Sequence, residues 1–230
     1  ITPHGTVDTP VFMPVGTSGP VKGITPDELQ SCGFGLMLSN SYHLYLRPGH
    51  QLIAEMGGLH QFTGWAGAIL TDSGGFQLVS LSGLRKITDA GVTFKSHLDG
   101  SMHLLTPERC MEIQMALGSD IMMVLDECPV YPCTIDQVSK AVHRSTQWAR
   151  QCKQAAQASA QALFSIVQGG LDVGLRRKAA HDLVEIGFDG YALGGLSLGE
   201  DKLAMMAMIE ASIPELPPDR PRYLMGVGLP

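Results

Sequence analysis

Short runs of apolar residues recur along the chain, each ending in polar or glycine-rich positions and each followed by a stretch with helix signals. The runs cover residues 11–17, 35–40, 68–71, 121–125, 163–167, 190–193 and 222–225. Thr25-Pro26-Asp27-Glu28 opens a helix, with Thr25 as N-cap, Pro26 at the first helical position and Glu28 closing a capping box; Gly33 stops it. Pro48 starts a helix that runs to Gly57 and Gly58, and Thr106-Pro107 caps one that ends at Gly118. Thr134 and Gln137 make a second capping box before a long helix through Trp148. Asp172 caps a helix whose Leu175, Ala179, Leu183 and Ile186 fall on one face, stopped by Gly187. A Met-rich helix, ended by Pro214, precedes the last run; its methionines read as core filling.

One segment breaks the rhythm. Residues 92–98 alternate, Asp99-Gly100 reads as a two-residue hairpin turn, and residues 101–105 return. Its histidines, His97 and His103, read as surface polar positions rather than ligands. Seven apolar runs alternating with helices predict a parallel sheet buried on both faces. No G-x-G-x-x-G follows the first strand, and polar strand ends are where a (β/α)8 barrel keeps its chemistry. The expected fold is therefore α/β, a (β/α)8 TIM barrel with seven strands in this chain and a β-hairpin insertion after strand 3, about 80–105. An eighth strand and helix are expected after Pro230, which makes residues 1–230 a single catalytic barrel domain, incomplete at the C-terminus, with an exposed sheet edge. The chain begins at Ile1 with no Met, so its true N-terminus is expected to be missing.

With 44% hydrophobic and 17% charged residues among 230, the chain can build a sizeable core. A net charge of −6 argues against binding nucleic acid mainly through phosphate neutralisation, though not against contact through one local patch. Five cysteines (Cys32, Cys110, Cys128, Cys133 and Cys152) form no paired CxxC framework, and four are expected reduced in or near the core. Cys128 and Cys133, flanking Pro-Val-Tyr-Pro, also suggest a metal clip, but no second ligand pair lies nearby in sequence. No run is long enough to cross a membrane and no basic, cleavable leader opens the chain, so a cytoplasmic protein is expected.

The chemistry gathers around Ala68-Ile69-Leu70-Thr71-Asp72-Ser73-Gly74-Gly75-Phe76-Gln77. A carboxylate at the end of an apolar strand needs water, a partner or a substrate, and paired glycines let another group approach the backbone. The same residues also suit an Asx-turn. If the strand ends share one mouth, it holds Asp72, Asp126, Gln168, the Gly194-Gly195 backbone and Met225. Two carboxylates suit acid–base work at a glycosidic bond or recognition of a donor-rich ligand. An Asp accepts two parallel N–H bonds, Gln and a free Gly amide donate to a carbonyl, and Phe76 and Met225 offer flat, polarisable walls. A planar heterocycle with an amidine edge and a carbonyl, such as guanine, fits. An ordinary sugar-active or aldolase-like barrel remains the other reading.

The sequence resembles the tRNA-guanine transglycosylase (queuine tRNA-ribosyltransferase) family. The resemblance rests on Asn40-Ser41-Tyr42-His43-Leu44, Thr71-Asp72-Ser73-Gly74-Gly75-Phe76-Gln77, Asp126-Glu127-Cys128, Tyr131-Pro132, Val167-Gln168-Gly169, Gly194-Gly195-Leu196 and Tyr223-Leu224-Met225-Gly226-Val227-Gly228, in the family's order along essentially the whole chain. It implies an enzyme, a pentosyltransferase that exchanges guanine at the tRNA wobble position for a 7-deazaguanine through a covalent ribosyl-enzyme intermediate. By that resemblance Asp72 is the general acid/base, and Asp126 reads the purine's amino and ring N–H groups. Gln168 and the Gly195 amide donate to the carbonyl, and Phe76 and Met225 stack. Ser73, Gly74, Gly75 and Cys128 line the pocket, while Leu196 and the following peptide, with Glu200 behind it, meet the 7-substituent. Leu198 and Asp126-Glu127-Cys128 resemble the bacterial branch, which uses 7-aminomethyl-7-deazaguanine in queuosine biosynthesis. Gly226, Val227, Gly228, Leu229 and Pro230 match an RNA-contacting segment, with Leu229 where a polar residue is expected.

The resemblance further implies the tRNA anticodon loop as partner, a homodimer, and a structural zinc whose three Cys and one His ligands lie outside this chain, as does the nucleophilic Asp of the eighth strand. The 230 residues alone are therefore expected to bind a purine without completing the exchange. A non-catalytic purine- or tRNA-binding relative of the same fold, or a partner subunit, is the alternative, and a different barrel acting on a nucleoside or sugar is the third.

Overall fold

The computed structural model describes residues 1–81 and 85–227, leaving aside the side chains of 79–81. In chain order the strands are β1 (Val15–Gly16), β2 (Leu36–Ser39), β3 (Ala68–Thr71), β4 (Arg85–Thr88), β5 (Gly91–Lys95), β6 (Met102–Leu105), β7 (Ile121–Met123), β8 (Ala162–Val167), β9 (Gly190–Leu193) and β10 (Arg222–Leu224). Seven of them form one parallel sheet in the order β1-β2-β3-β7-β8-β9-β10, and β4-β5-β6 form a separate antiparallel sheet. Sequential parallel neighbours joined by helices are the curled sheet of a partial (β/α)8 barrel. The inserted sheet follows β3, as the sequence predicts.

The helices are α1 (Pro26–Ser31), α2 (Ser41–Leu46), α3 (His50–Glu55), α4 (Leu59–Thr63), α5 (Gly75–Leu81), α6 (Pro107–Leu117), α7 (Ile135–Ala155), α8 (Val173–Ile186) and α9 (Lys202–Ser212). Both predicted capping boxes form, at Thr25/Glu28 and Thr134/Gln137, and Thr106 and Asp172 cap as expected. Central strands β2, β3, β7 and β9 are buried at every position, because helices cover one face and barrel-facing side chains fill the other. Cys110, Cys128 and Cys152 are buried, Cys133 is half-buried and Cys32 is exposed, all free thiols.

Several expectations need correction. The first strand is only two residues long, because Pro10 and Pro14 have no N–H to give a ladder; the Pro14 carbonyl still accepts from Leu38 N at 2.9 Å. The fourth strand ends at Met123 rather than Leu125, and the long helix runs past Trp148 to Ala155. The helix after Pro48 begins at His50, and α2, α4 and α5 are additional. The insertion is three-stranded, and its hairpin turn is a four-residue loop: Ser96 N donates to Ser101 O at 2.8 Å, leaving 97–100 to turn. The Met-rich helix buries Met208 but leaves Met206 47% exposed, so core filling describes only part of it.

His97 and His103 are not idle surface groups. Each ring Nδ1 is bonded to a tyrosine hydroxyl of α2, Tyr42 at 2.9 Å and Tyr45 at 2.8 Å, so the insertion braces that helix. At its other side Arg144 of α7 bonds Asp89 at 3.0 Å and also pairs with Glu127.

Candidate active site

Strand register builds the site. Ser39 pairs with Thr71 and Val167 with Leu193, and Leu224 pairs with Leu193 from the other side. The residues one step further on therefore share one end of the sheet: Asn40 and Ser41 after β2, Asp72 after β3, Gln168 after β8, Gly194-Gly195 after β9 and Met225 after β10. Asp126 follows β7 by three residues, and its carboxylate reaches the same cluster through Ser73 and Gln168.

Asp72 is 8% exposed and is held from α2: Asn40 Nδ2 donates to Oδ2 at 2.6 Å, and Ser41 N to Oδ1 at 2.9 Å. Burial raises its carboxyl to about 7, against the pull of hydrogen bonds from Ser41, Gly74 and Gln77 that favour the anion. Asp126 is equally buried. It accepts from Ser73 Oγ at 3.3 Å and from Gln168 Nε2 at 2.7 Å, and burial raises it to about 6 despite both bonds. Burial thus raises both carboxyls toward neutrality, where a carboxyl can take up or give a proton.

The two glycines after Ser73 are needed for contact. A Cβ on Gly74 (φ +77°) would stand 3.0 Å from Tyr42 Cβ, and one on Gly75 would stand 2.8 Å from the Asp126 carbonyl. The loop is therefore wedged between α2 and the end of β7, which brings Asp72 and Asp126 into one cluster. Cys128 is buried beside Asp126, and burial, with Asp126 next, pushes its thiol up to about 12, so it lines the site as a neutral group. Leu196 is buried, Met225 half-buried and Phe76 48% exposed at the start of α5. A cavity of about 220 Å³ adjoins the cluster, lined by Tyr131, Cys133, Gln168, Gly195, Leu198 and Glu200 among others. Gly226 is exposed and Val227 half-buried; Gly228, Leu229 and Pro230 lie outside the described residues.

Gln168 differs in one respect from its expected role. Its amide nitrogen is engaged by Asp126, and its carbonyl Oε1 is buried with no partner. Sequence reasoning assigned no role to Asn40 and Ser41, which orient Asp72, although polar residues at a strand end were a signal. It also passed over Arg176, a charged residue on the buried face of α8 beside Ala179, Ala180 and Leu183.

Among the described residues, two groups bring potential metal ligands together: His4, His60 and Asp120, and His181, Asp182 and Glu185. Neither contains a cysteine, and no group of three such ligands among the described residues includes Cys128 or Cys133. The rings of His4 and His60 stack 3.5 Å apart at 13°, and two parallel stacked rings cannot both aim in-plane lone pairs at one ion. Each instead bonds a different oxygen of Asp120, at 2.8 and 3.1 Å. No helix among the described residues is long and apolar enough to cross a membrane.

Comparison with known proteins identifies the family. The family model described as queuine tRNA-ribosyltransferase matches residues 1–230. Proteins named queuine tRNA-ribosyltransferase from Pelotomaculum thermopropionicum, Halothermothrix orenii and Bacillus licheniformis are 57%, 55% and 56% identical to the chain; they align with all of it and with 62%, 61% and 60% of their own lengths. The chain thus spans about three fifths of the length of the curated relatives it matches. It belongs to the queuine tRNA-ribosyltransferase family.

Proposed function

We propose that the protein carrying this chain is a tRNA-guanine transglycosylase, exchanging guanine at the anticodon wobble position for 7-aminomethyl-7-deazaguanine through a covalent ribosyl-enzyme intermediate. The observation that carries the reading is the pair Asp72 and Asp126, both buried beyond the ends of neighbouring strands β3 and β7, linked through Ser73 and raised by burial toward neutrality. Asp72 protonates the departing base and deprotonates the incoming one, for which a carboxyl raised to about 7 is suited. Asp126 accepts the purine's amino and ring N–H groups. Ser73, Gly74, Gly75 and Cys128 line the pocket, the second hydrogen of the Gln168 amide nitrogen and the Gly195 amide donate to the carbonyl oxygen, and Phe76 and Met225 stack on the base once it is splayed out of the RNA loop. Leu196 and the following peptide, with Glu200 behind it, meet the 7-aminomethyl group.

Retention at the ribose carbon needs a further carboxylate as nucleophile, and Asp72 and Asp126 are already engaged. Residues 1–230 act in this reading as one catalytic barrel unit, with Gly226 and Val227 in the RNA-contacting segment. A homodimer, a cytoplasmic location and a structural zinc belong to the same reading; the described residues of this chain offer no cysteine-rich ligand set, so the zinc takes no part in the steps above.

Incubating the complete gene product with tRNA and labelled guanine tests the reading. Label entering the wobble position, and its loss in Asp72→Ala, is expected. A folded product that exchanges no guanine, or an Asp72→Ala variant that still does, would overturn it.

A further inference from the structure

Arg176 is wholly buried, and its side chain bonds no carboxylate among the described residues. Every hydrogen bond it makes goes to a backbone carbonyl: Nε to Gly170 at 2.9 Å, Nη1 to Gly194 at 2.8 Å and Val167 at 3.2 Å, and Nη2 to Gly195 at 3.2 Å. An unpaired buried cation is costly, and one near the N-terminal, positive end of α8 gains nothing from the helix dipole. Burial lowers its pKa to about 10, which still leaves it charged at neutral pH. Of the groups that act against this, the Cys128 thiol comes first and Glu200 second, and Glu200 spends its carboxylate on Ser197 N and Leu198 N. What its fork fixes is the orientation of two neighbouring peptides.

The Gly194 carbonyl and the Gly195 N–H belong to one trans peptide and point in opposite directions. So do the Gly195 carbonyl and the Leu196 N–H. By gripping both carbonyls from the α8 side, Arg176 turns both N–H groups away from itself, in peptides that pack against Gln168. Neither N–H has an acceptor among the described residues. Gly195 adopts φ +65°, and a Cβ there would stand 2.3 Å from Gln168 Oε1, so this peptide lies directly against the site. Two fixed donors backed by a positive charge suit an oxygen that carries or develops negative charge.

We propose that Arg176 is a positioning residue that aims the Gly195 and Leu196 N–H groups at the carbonyl oxygen of a bound planar base, making the site selective for 6-oxopurines. The inference rests on the base-exchange reading and adds the device that sets its carbonyl specificity.

The test compares guanine with 2-aminopurine, which lacks the 6-oxygen, by calorimetric titration of the protein carrying this chain. In Arg176→Gln, guanine affinity is expected to fall about tenfold to a hundredfold and 2-aminopurine affinity by less than about threefold. Arg176→Lys, which keeps the charge but loses the fork, falls between. Equal losses for both bases, or none, overturn the proposal, because a purely structural residue would not discriminate. Should the variants not fold, amide NMR of the unaltered protein decides: guanine, and not 2-aminopurine, shifts the Gly195 and Leu196 resonances, and saturating guanine that leaves both unmoved overturns it. A folded unaltered protein that binds neither purine would remove the base-exchange reading and this inference with it. One that prefers guanine, with variants keeping that preference, removes this inference alone.

Discussion

Gln168 donates its side-chain amide to Asp126 Oδ2 at 2.7 Å, while the carbonyl oxygen of that same amide is buried without a partner. In Asp126→Asn the Gln168 amide can turn over, so that its orphaned oxygen accepts from the new amide. Burial raises the Asp126 carboxyl to about 6, from about 3.9 in an unfolded chain, so the fold favours the protonated form. That contribution to stability is complete below about pH 4 and lost as pH rises through about 6, above which the buried anion costs about 1–3 kcal/mol. Asp126→Asn is therefore expected to melt higher than the parent at pH 8, with the difference vanishing near pH 4. Thermal melts at the two pH values check this.

Asn40 has two tasks, donating to Asp72 at 2.6 Å and capping α2 by accepting from His43 N at 3.2 Å. Asn40→Ala removes a donor to the anion and so raises Asp72 above its present value of about 7. The limb of the pH–rate profile that follows Asp72 is expected to move to higher pH by roughly one unit. Loss of the cap costs about 1 kcal/mol, a penalty visible by denaturation and separable from the pH shift. An unmoved limb would remove Asp72 from the proton transfer.

Gly75 tests the wedge between the Asp72 loop and β7. A methyl there stands 2.8 Å from the Asp126 carbonyl, a backbone atom that cannot swing aside. Gly75→Ala is expected to cost about 1–3 kcal/mol of stability and to weaken guanine binding about tenfold by displacing Asp126. Full affinity in a folded variant would mean that this contact does not set the pocket.

At the opposite end of the strands, Asp120 accepts from His4, His60 and Ile69 N. Burial pushes its carboxyl up, but bonds from His60, His4 and Ile69 outweigh it and hold the group below its ordinary value. Its stabilising contribution is thus present above about pH 4 and lost as pH falls through the lowered folded value. Asp120→Asn is expected to cost about 2 kcal/mol at pH 7 and progressively less in acid, read from paired denaturation curves.

What the sequence made legible was local. Capping boxes at Thr25 and Thr134 declare themselves within four residues, and the buried strands are continuous apolar runs bounded by glycine or polar groups. The carboxylates were legible because each interrupts apolar sequence at a strand end. The short helices α2, α4 and α5, of five to seven residues, are too brief to develop a helical period. Strand β4 is three-quarters exposed and is specified by its pairing with β5 rather than by its own pattern. Asp126 and Gln168 could be placed at one mouth, but not the bond between them across 42 residues, and the Arg176 fork grips carbonyls that carry no side-chain signal.

The central claim is that the strand-end carboxylates form a purine pocket, and calorimetric titration of guanine into the protein and its Asp126→Ala variant tests it most directly. Saturable binding at one site per chain, abolished in a variant that remains folded, is the expected result. Undiminished binding by Asp126→Ala, or no binding by the folded parent, would contradict the account.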